Sequence, residues 1–246
     1  MFSCALGLHS NASDYFYLQD PNSKTCYIVE LKTLLNSRKF VSDEQFRYSS
    51  EVLPTSDLCL LEDNRYIGYH MWYLDDKQFS KVDSPIGYYQ KGEDSGKGMD
   101  DFPFFVASVN GARLFKNPQT QELWTADMHR DAIRIYNDSL KQIRVFFGHD
   151  HFSSEYTRRQ IDASVAFVTF ADECDYHAYT DYYITDKHIY LVYEGNKHFD
   201  MKNLSPVEIF KLDFDGNLLC NYKLDRYVYS ISINKKEDTL YCASRS

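Results

Sequence analysis

The residue types best suited to chemistry cluster just ahead of residue 153, where the sequence reads GHDHF. His149 and His151 are two positions apart, so on a β-strand their side chains would share one face. Two imidazoles on one face could begin a metal site or a proton-transfer site, but the spacing shows no third ligand. The alternative is a polar loop that leaves the outer strand of a sheet, and we prefer this interpretation.

A second cluster lies in residues 172–183, where carboxylates are mixed with tyrosines and one histidine in the sequence DECDYHAYTDYY. Carboxylate oxygens are ligands that Ca²⁺ prefers, but the D-x-D-x-D-G spacing of a calcium loop is absent. We therefore expect a solvated acidic loop here. Tyr176, His177 and Asp181 are candidate ligand-binding residues within it.

Three further candidates come from their position relative to strand-like runs. His129 and Arg130 lie in the sequence MHRDA between two such runs, where a connecting loop often carries ligand-binding groups. Trp72 lies near the end of a strand-like run and could stack on a ligand, whereas Trp124 is expected in a core. The candidate ligand-binding residues are therefore Trp72, His129, Arg130, His149, His151, Tyr176, His177 and Asp181.

Several classes of function are disfavoured by the sequence. It contains no G-x-S-x-G, H-E-x-x-H, P-loop or G-x-G-x-x-G motif, and its 6 cysteines are scattered singly without zinc spacing. A net charge of −9 argues against a nucleic-acid partner. No apolar run approaches the roughly 18–20 residues that span a bilayer. We expect no cofactor, no metal and no membrane span, and we expect a binding protein rather than an enzyme.

Short β-strands must hold these residues. Residues 207–224 show two alternating runs on either side of Asp215-Gly216, the strongest local signal for a β-hairpin. The abundance of aromatic residues, with 21 Tyr and 17 Phe, also favours strands. Similar hairpin turns are predicted along the whole chain, at residues 21–24, 62–64, 117–120, 137–139, 185–187 and 235–238.

Four strands recur about every forty to fifty residues, which is typical of a β-propeller blade. A single four-stranded sheet cannot bury both faces, so neighbouring sheets must cover one another. The predicted fold is an all-β propeller of four-stranded antiparallel blades, forming one domain over residues 1–246. Residues 1–12 show no matching strand pair. Either strands of the 13–45 unit are used to close a small ring, or a longer parent protein has a blade that this chain lacks. The blade-like units span about 13–45, 55–108, 109–150 and 165–223, with a half blade at 226–246.

Two segments carry a family resemblance. LWTADMHRDAIRIYNDSLKQI at 123–143 and YFYLQDPNSKTCYIVELKTLL at 15–35 resemble the TolB-like six-bladed β-propeller proteins of Gram-negative gut bacteria, and the similarity covers most of residues 13–244. The resemblance implies a six-bladed ring and an exported envelope protein of the periplasm or cell surface. This chain departs from the family in length and in lacking a signal peptide. Both departures fit a missing N-terminal blade, and they leave the cytoplasm open as a location.

Two functions follow from these observations. The first is a non-catalytic binding or interaction propeller of the bacterial cell envelope, which holds a peptide, protein or glycan on a loop-rich face with many tyrosines. The alternative is a metal-dependent hydrolase or lyase of the six-bladed propeller type, with carboxylates and histidines around a bound cation. The innermost strands of the predicted blades do not begin with carboxylates or histidines at equivalent positions. This favours the binding propeller.

Overall fold

The structure is a computed structural model that describes residues 6–10, 15–20, 23–37, 42, 44–53, 56–61, 63–70, 84–93, 105–106, 111–152, 156–160, 166–170, 176–197 and 204–244. Almost all regular structure in these ranges is β-strand, as predicted. The chain divides into two compact units, residues 1–103 and residues 104–246. The single domain over residues 1–246 stays a prediction.

The first unit contains a four-stranded and a three-stranded antiparallel sheet. The four-stranded sheet has the order β1–β2–β3–β4, and the helix α1 follows β3 and precedes β4 in the chain. The bounds are β1 Leu6–Ser10, β2 Tyr15–Asp20, β3 Thr25–Glu30, α1 Leu31–Ser37 and β4 Glu44–Arg47. The three-stranded sheet contains β5 Cys59–Leu60, β6 Arg65–Tyr69 and β7 Ile86–Gln90. The two sheets of this unit share one core of buried apolar side chains. Its members include Tyr17, Cys26, Phe46, Val52, Leu58 and Tyr66.

Two elements of the first unit were not predicted. Strand β1 pairs antiparallel with β2 and completes the four-stranded sheet. Its sequence, LGLHS, is too short for its alternation to stand out. Helix α1 has the sequence LKTLLNS, in which three leucines suit a helix better than the β-branched residues of β3 before it.

The second unit contains two four-stranded antiparallel sheets, which we name blade A and blade B. Blade A consists of β9 Ala112–Lys116, β10 Leu123–Asp127, β11 Ala132–Tyr136 and β12 Gln142–Phe147. Blade B consists of β15 Tyr176–Ile184, β16 Ile189–Lys197, β17 Glu208–Leu212 and β18 Leu218–Lys223. A two-stranded hairpin follows blade B, with β19 Ser230–Ile233 and β20 Leu240–Ala243. A further sheet, in which β14 pairs in parallel with the distant β8, is formed by β8 Phe105–Val106, β13 Tyr156–Gln160 and β14 Ala166–Phe170.

Successive sheets of the second unit cover each other's apolar faces. Blade A packs on blade B through a core that includes Phe115, Trp124, Ile133, Ile135, Tyr179, Leu191, Tyr193 and Phe210. Blade B packs on the β19–β20 hairpin through Tyr190, Val192, Val207, Ile209, Ile231 and Ile233. Strand β10 is buried at every position, whereas β18 at the outer edge is mostly exposed. Each of these sheets therefore buries its apolar side chains against a neighbouring sheet, as the repeat pattern predicted.

The predicted Asp-Gly hairpin is confirmed between β17 and β18. Gly216 has a φ of 91°, a conformation that glycine adopts without steric cost. The Asp213 carboxylate accepts hydrogen bonds from the backbone N–H groups of Asp215 at 3.0 Å and Asn217 at 2.8 Å. Although burial would raise the pKa of Asp213, these bonds and the Asn217 side chain outweigh it and hold that pKa below its usual value.

Replacing this glycine tests the hairpin directly. A Cβ at position 216 would lie 2.6 Å from a ring carbon of Phe146, in addition to the strain of positive φ. We expect Gly216→Val to lower the free energy of unfolding by about 2 kcal/mol, measured by urea denaturation. The exposed turn variant Asp186→Ala, on the hairpin between β15 and β16, should change it by less than about 0.5 kcal/mol. Equal stability of the Gly216→Val variant and the wild type would contradict this account of the turn.

Candidate functional site

A cleft of about 560 Å³ opens between the outer strand of blade A and the two outer strands of blade B. Blade A contributes mainly the end of β12 with Gly148, His149 and His151, and blade B contributes mainly β17 and β18. The predicted candidates His149 and His151 both line this cleft. A concave, mainly apolar surface with a few convergent polar groups is the usual form of a ligand site, so we take the cleft as the candidate functional site.

The cleft has a buried aromatic floor and apolar walls that remain exposed. Phe210 of β17 is 5% exposed, and its ring stacks on that of Tyr193 with centroids 4.9 Å apart. By contrast, Phe147 at the end of β12 is 61% exposed and Leu218 at the start of β18 is 57% exposed. Large apolar side chains that stay exposed along one cleft are typical of a surface that binds a partner.

Polar groups rim the cleft where β18 ends. Lys223 Nζ lies 3.2 Å from Glu208 Oε1, and the Asn221 side-chain amide donates to Glu208 Oε2 at 2.5 Å. His149 stands against Phe210, with ring centroids 5.9 Å apart. The rim therefore offers a carboxylate, an ammonium group, an amide and an imidazole, which can orient a bound segment by hydrogen bonds.

The loop that carries the two histidines is held by a buried aspartate, Asp131, from the connection between β10 and β11. Asp131 is fully buried. Its Oδ2 accepts hydrogen bonds from the backbone N–H groups of Asp150 at 2.9 Å and His151 at 3.0 Å, and its Oδ1 accepts one from the Tyr179 hydroxyl at 3.0 Å. Residue 148 must be glycine, because a Cβ there would collide with the Asp131 carboxylate. We call this arrangement the Asp131 clasp.

A second carboxylate–phenol contact continues the clasp towards the cleft. The Tyr193 hydroxyl donates to Asp150 Oδ2 at 2.6 Å. Burial, reinforced by that hydrogen bond to Asp150, raises the pKa of Tyr193 far above its usual value. Burial and the adjacent Asp131 do the same for the pKa of Tyr179. Both phenols therefore remain protonated donors at physiological pH and fix the position of the 148–151 loop.

Three of the other candidates meet at the same end of the blades. His129 Nδ1 lies 3.0 Å from the Tyr176 carbonyl oxygen, and its ring centroid is 5.0 Å from that of His177. The ring of Phe152 stacks on Tyr176 at 4.5 Å and connects this histidine cluster to the loop that borders the cleft. Because His129 is 5% exposed, its contacts are mainly internal.

The remaining candidates do not belong to this cluster. Arg130 is buried, and its Nη1 lies 3.9 Å from Asp127 Oδ2. The solvated acidic loop predicted at 172–183 is wrong for its described part, because residues 176–183 belong to strand β15. The Asp181 carboxylate accepts a hydrogen bond from the Ile231 N–H at 2.9 Å and so joins β15 to β19, and burial raises its pKa. Trp72 lies outside the described residues. A ligand-binding role for the eight candidates stays a prediction.

Glu194 of β16 places a buried carboxylate beside the histidine cluster. Its Oε1 accepts a hydrogen bond from the Tyr227 hydroxyl at 2.8 Å, and its Oε2 lies 3.9 Å from His177 Nδ1. Burial raises the pKa of Glu194. The residues that line the cleft include neither Glu194 nor His177. Across the described ranges, no group of three or more His, Cys, Asp or Glu side chains is arranged to hold a metal ion.

The groups that shape the cleft were not predicted from the sequence. Phe147 and Leu218 stand on strands whose sequences, QIRVFF and LLCNYK, place apolar residues where a solvated outer strand would carry polar ones. That departure from alternation was the available signal. Asp131 lies within the quoted MHRDA sequence, but nothing local marks it as buried. Its partner Tyr179 is 48 residues away in the chain.

Comparison with known proteins establishes the fold and nothing finer. No family model matches the sequence, and no curated protein matches it. The chain is similar to a crystal structure of a DUF4221 family member from Bacteroides vulgatus, with a TM-score of 0.54 and 12% identity over 94% of this chain and 69% of that one. It also matches the Pan2 WD40 domain of Neurospora crassa, with a TM-score of 0.44 and 8% identity over 98% of this chain and 58% of that one. A third match is BamB from Moraxella catarrhalis, with a TM-score of 0.33 and 9% identity over 94% of this chain and 67% of that one.

The predicted all-β propeller fold with four-stranded antiparallel blades is thereby confirmed. The chain spans 58–69% of the length of these three structures. The TolB-like assignment and the six-bladed ring stay predictions. Within the described part of the chain, no helix is long and apolar enough to cross a membrane.

Proposed function

We propose that the protein is a non-catalytic binding module of the β-propeller type, and that the cleft between β12 and β17–β18 holds a segment of a partner protein. The observation that carries this proposal is the exposure of Phe147 and Leu218 along a cleft whose floor is already packed. Such side chains lose water contact when a partner covers them, which favours association by roughly 25 cal/mol per Å² buried.

The polar rim supports a protein segment as the ligand. A polypeptide presents backbone N–H and C=O groups between its side chains, and the Asn221 amide, the Glu208 carboxylate and the Lys223 ammonium group can bond to such groups. The apolar walls suit its Leu, Met or aromatic side chains. A glycan can stack the C–H face of one sugar ring on Phe147, but its hydroxyl-bearing ring edges provide no apolar side chain to cover Leu218.

The Asp131 clasp supports a rigid site. Two hydrogen bonds from the 148–151 loop to the buried Asp131 carboxylate, which Tyr179 holds by a third, fix the loop before any ligand arrives. Binding to a preformed surface avoids the entropy cost of ordering a loop, so more of the contact energy appears as affinity.

We extend the proposal to the rest of the sequence-based prediction. The protein is part of a TolB-like six-bladed propeller that acts in the bacterial cell envelope, in the periplasm or at the cell surface. The support is the resemblance of residues 15–35 and 123–143. Cell fractionation of the source bacterium with an antibody against this chain tests the location, and a purely cytoplasmic signal would contradict it.

Peptide selection tests the cleft. Random heptapeptides displayed on phage are selected on the wild-type protein, and affinities of the selected peptides are measured by fluorescence anisotropy. We expect Phe147→Ser and Leu218→Ser each to weaken binding about tenfold, which corresponds to about 1.4 kcal/mol. Tyr229→Ser is the matched control, because Tyr229 is 52% exposed and does not line the cleft. Its affinity should stay within about twofold of the wild type.

Two outcomes would overturn the proposal. One is a set of selected peptides whose affinity is insensitive to both cleft substitutions. The other is a protein that selects no peptide but binds members of a glycan array through Phe147 and Leu218.

A further inference from the structure

Strand β12 is the fourth strand of blade A, and in the described part of the chain it pairs with β11 alone. Blade A lies in the interior of the chain, between β8 and β13. It has its full four strands, and the β1–β4 sheet and blade B likewise end at a fourth strand. The outer edge of β12 therefore belongs to the architecture of the blade.

The hydrogen-bonding pattern shows which backbone groups of β12 face outwards. The Gly148 N–H donates to the Asp131 carbonyl at 3.2 Å, so these two residues belong to a hydrogen-bonded pair of the antiparallel ladder. Such pairs alternate with non-hydrogen-bonded pairs. Phe146 therefore bonds across to β11, whereas the N–H and C=O groups of Val145 and Phe147 point away from β11.

This edge has little of the usual protection against strand addition. Native edge strands commonly carry lysine, proline or a bulge that prevents pairing. Strand β12 reads QIRVFF, and its one charged residue, Arg144, is paired with Glu122 at 3.0 Å. The apolar Ile143, Val145 and Phe147 are 45%, 36% and 61% exposed. A bulge interrupts the ladder at Ile143, but the four residues after it are in regular register.

The fourth strands of the other two four-stranded sheets are better protected. On β18 the Leu224 N–H bonds across to the residue before β17, so by the same alternation Asn221 and Lys223 hold the outward-facing positions. Both are polar, and one is a lysine. On β4 the Arg47 carbonyl accepts a hydrogen bond from the Gly92 N–H at 2.9 Å, so the chain itself covers part of that edge. Strand β12 combines outward-facing backbone groups with apolar side chains.

The two faces of β12 lead to different surroundings. Phe146 lies opposite Ile133, which belongs to the core shared with blade B, so the Phe146 side chain is on the face turned to blade B. Val145 lies opposite Arg134 and is on the other face. Phe147, at the end of the strand, lines the cleft. A strand added to β12 would therefore place every second side chain in the cleft.

We propose that the partner segment binds in an extended conformation, as a fifth strand on the outer edge of β12. This inference rests on the function proposed for the cleft and adds how the segment is held. An extended polypeptide turns its N–H and C=O groups to one side at every second residue, which matches the outward-facing groups of Val145 and Phe147. Its alternate side chains enter the cleft. Backbone hydrogen bonds supply affinity in this mode of recognition, and side-chain pockets supply specificity.

The probe is the heptapeptide of highest affinity from the phage selection on the wild-type protein. Amide hydrogen exchange is followed by NMR on the full chain with and without this peptide. We expect the amide protons of Val145 and Phe147 to exchange about tenfold more slowly, or slower still, when the peptide is bound. The amide proton of Phe146, already bonded to β11, should change little.

Two sets of variants make the test specific. Val145→Pro deletes an outward-facing N–H, a position that tolerates proline on an edge strand, and should weaken peptide binding about tenfold. Continued protection of the Ile135 amide, which bonds across to β12 by the same alternation, shows that blade A stays intact in this variant. Peptides N-methylated at alternate residues, tested on the unmodified protein, should fall into one set that binds and one that does not.

The outcomes separate this inference from the function on which it rests. A peptide whose binding depends on Phe147 and Leu218 but which protects neither Val145 nor Phe147 overturns the fifth strand alone. Equal binding of both N-methylated sets, or protection of the Asn221 and Lys223 amides instead, does the same. Val145 and Phe147 amides that are already protected in the protein alone also overturn it, because the edge would then be occupied. A peptide insensitive to both cleft substitutions overturns the proposed function and this inference with it.

Discussion

Asp131→Ala is expected to lower the free energy of unfolding by about 4 kcal/mol. The carboxylate is the acceptor for three buried donors, the N–H groups of Asp150 and His151 and the hydroxyl of Tyr179. A buried donor left without a partner costs about 1–3 kcal/mol, and the deletion leaves three. Urea denaturation of the wild type and the variant measures the difference.

A double-mutant cycle makes this result specific to the clasp. Tyr179→Phe alone removes one donor and should cost about 1 kcal/mol. In the Asp131→Ala background the same change removes an orphaned hydroxyl, so its cost should disappear or reverse. Asp186→Ala, at an exposed turn, should stay within about 0.5 kcal/mol of the wild type. A loss below about 1 kcal/mol for Asp131→Ala would show that the clasp does not hold the loop.

Glu237→Gln is expected to lower the free energy of unfolding by about 2 kcal/mol at pH 7. Glu237 lies in the turn between β19 and β20, and its carboxylate accepts from four groups of blade B: the Thr185 hydroxyl, His188 Nδ1 at 2.6 Å, Tyr190 Oη at 3.2 Å and Lys211 Nζ at 3.2 Å. An amide side chain cannot accept from all four and has no charge to attract Lys211.

The pH dependence of this loss identifies its cause. Burial would raise the pKa of Glu237, but hydrogen bonds from Thr185, Lys211 and His188 outweigh burial and lower it from 4.5 to about 2. Because the folded-state pKa lies below the unfolded value, the stabilisation is complete above pH 4.5 and is lost as the pH falls towards 2. The difference between wild type and Glu237→Gln should therefore shrink between pH 5 and pH 2.5.

The matched control for this prediction is Asp186→Asn, which removes one negative charge from an exposed turn next to the same hairpin end. Its stability should follow that of the wild type at every pH. If the Glu237→Gln deficit is the same at pH 3 as at pH 7, the carboxylate charge is not what joins the β19–β20 hairpin to blade B.

Local sequence patterns were sufficient to predict the all-β propeller class. The Asp215-Gly216 turn and the alternating runs around it depend on residues within a few positions of each other, so periodicity and turn chemistry reveal them. Cys26, Cys59, Cys220 and Cys242 also lie in strands, within runs that the same local patterns predict. Strand β14 escaped prediction because it pairs in parallel with β8, more than 60 residues earlier in the chain.

The candidate site was only partly visible in the sequence, because its architecture depends on long-range contacts. His149 and His151 stood out by residue type, and both line the cleft. The groups that position them, Asp131 and Tyr179, come from a different connection and a different blade. Arg130 and Asp181 stood out for the same reason as the histidines, yet their described contacts are with buried groups of the protein itself. Residue type shows what chemistry is available, whereas burial decides whether a ligand can reach it.

Site-specific photocrosslinking tests most directly whether the cleft binds a protein segment. The reactive analogue p-benzoylphenylalanine replaces Phe147 in one preparation and Tyr229, another exposed aromatic residue, in a second. Each preparation is irradiated with a peptide selected on the wild-type protein. We expect a covalent adduct at position 147 that excess unlabelled peptide suppresses, and little adduct at position 229. Equal labelling at both positions, or labelling at 229 alone, would contradict the assignment of the cleft as the binding site.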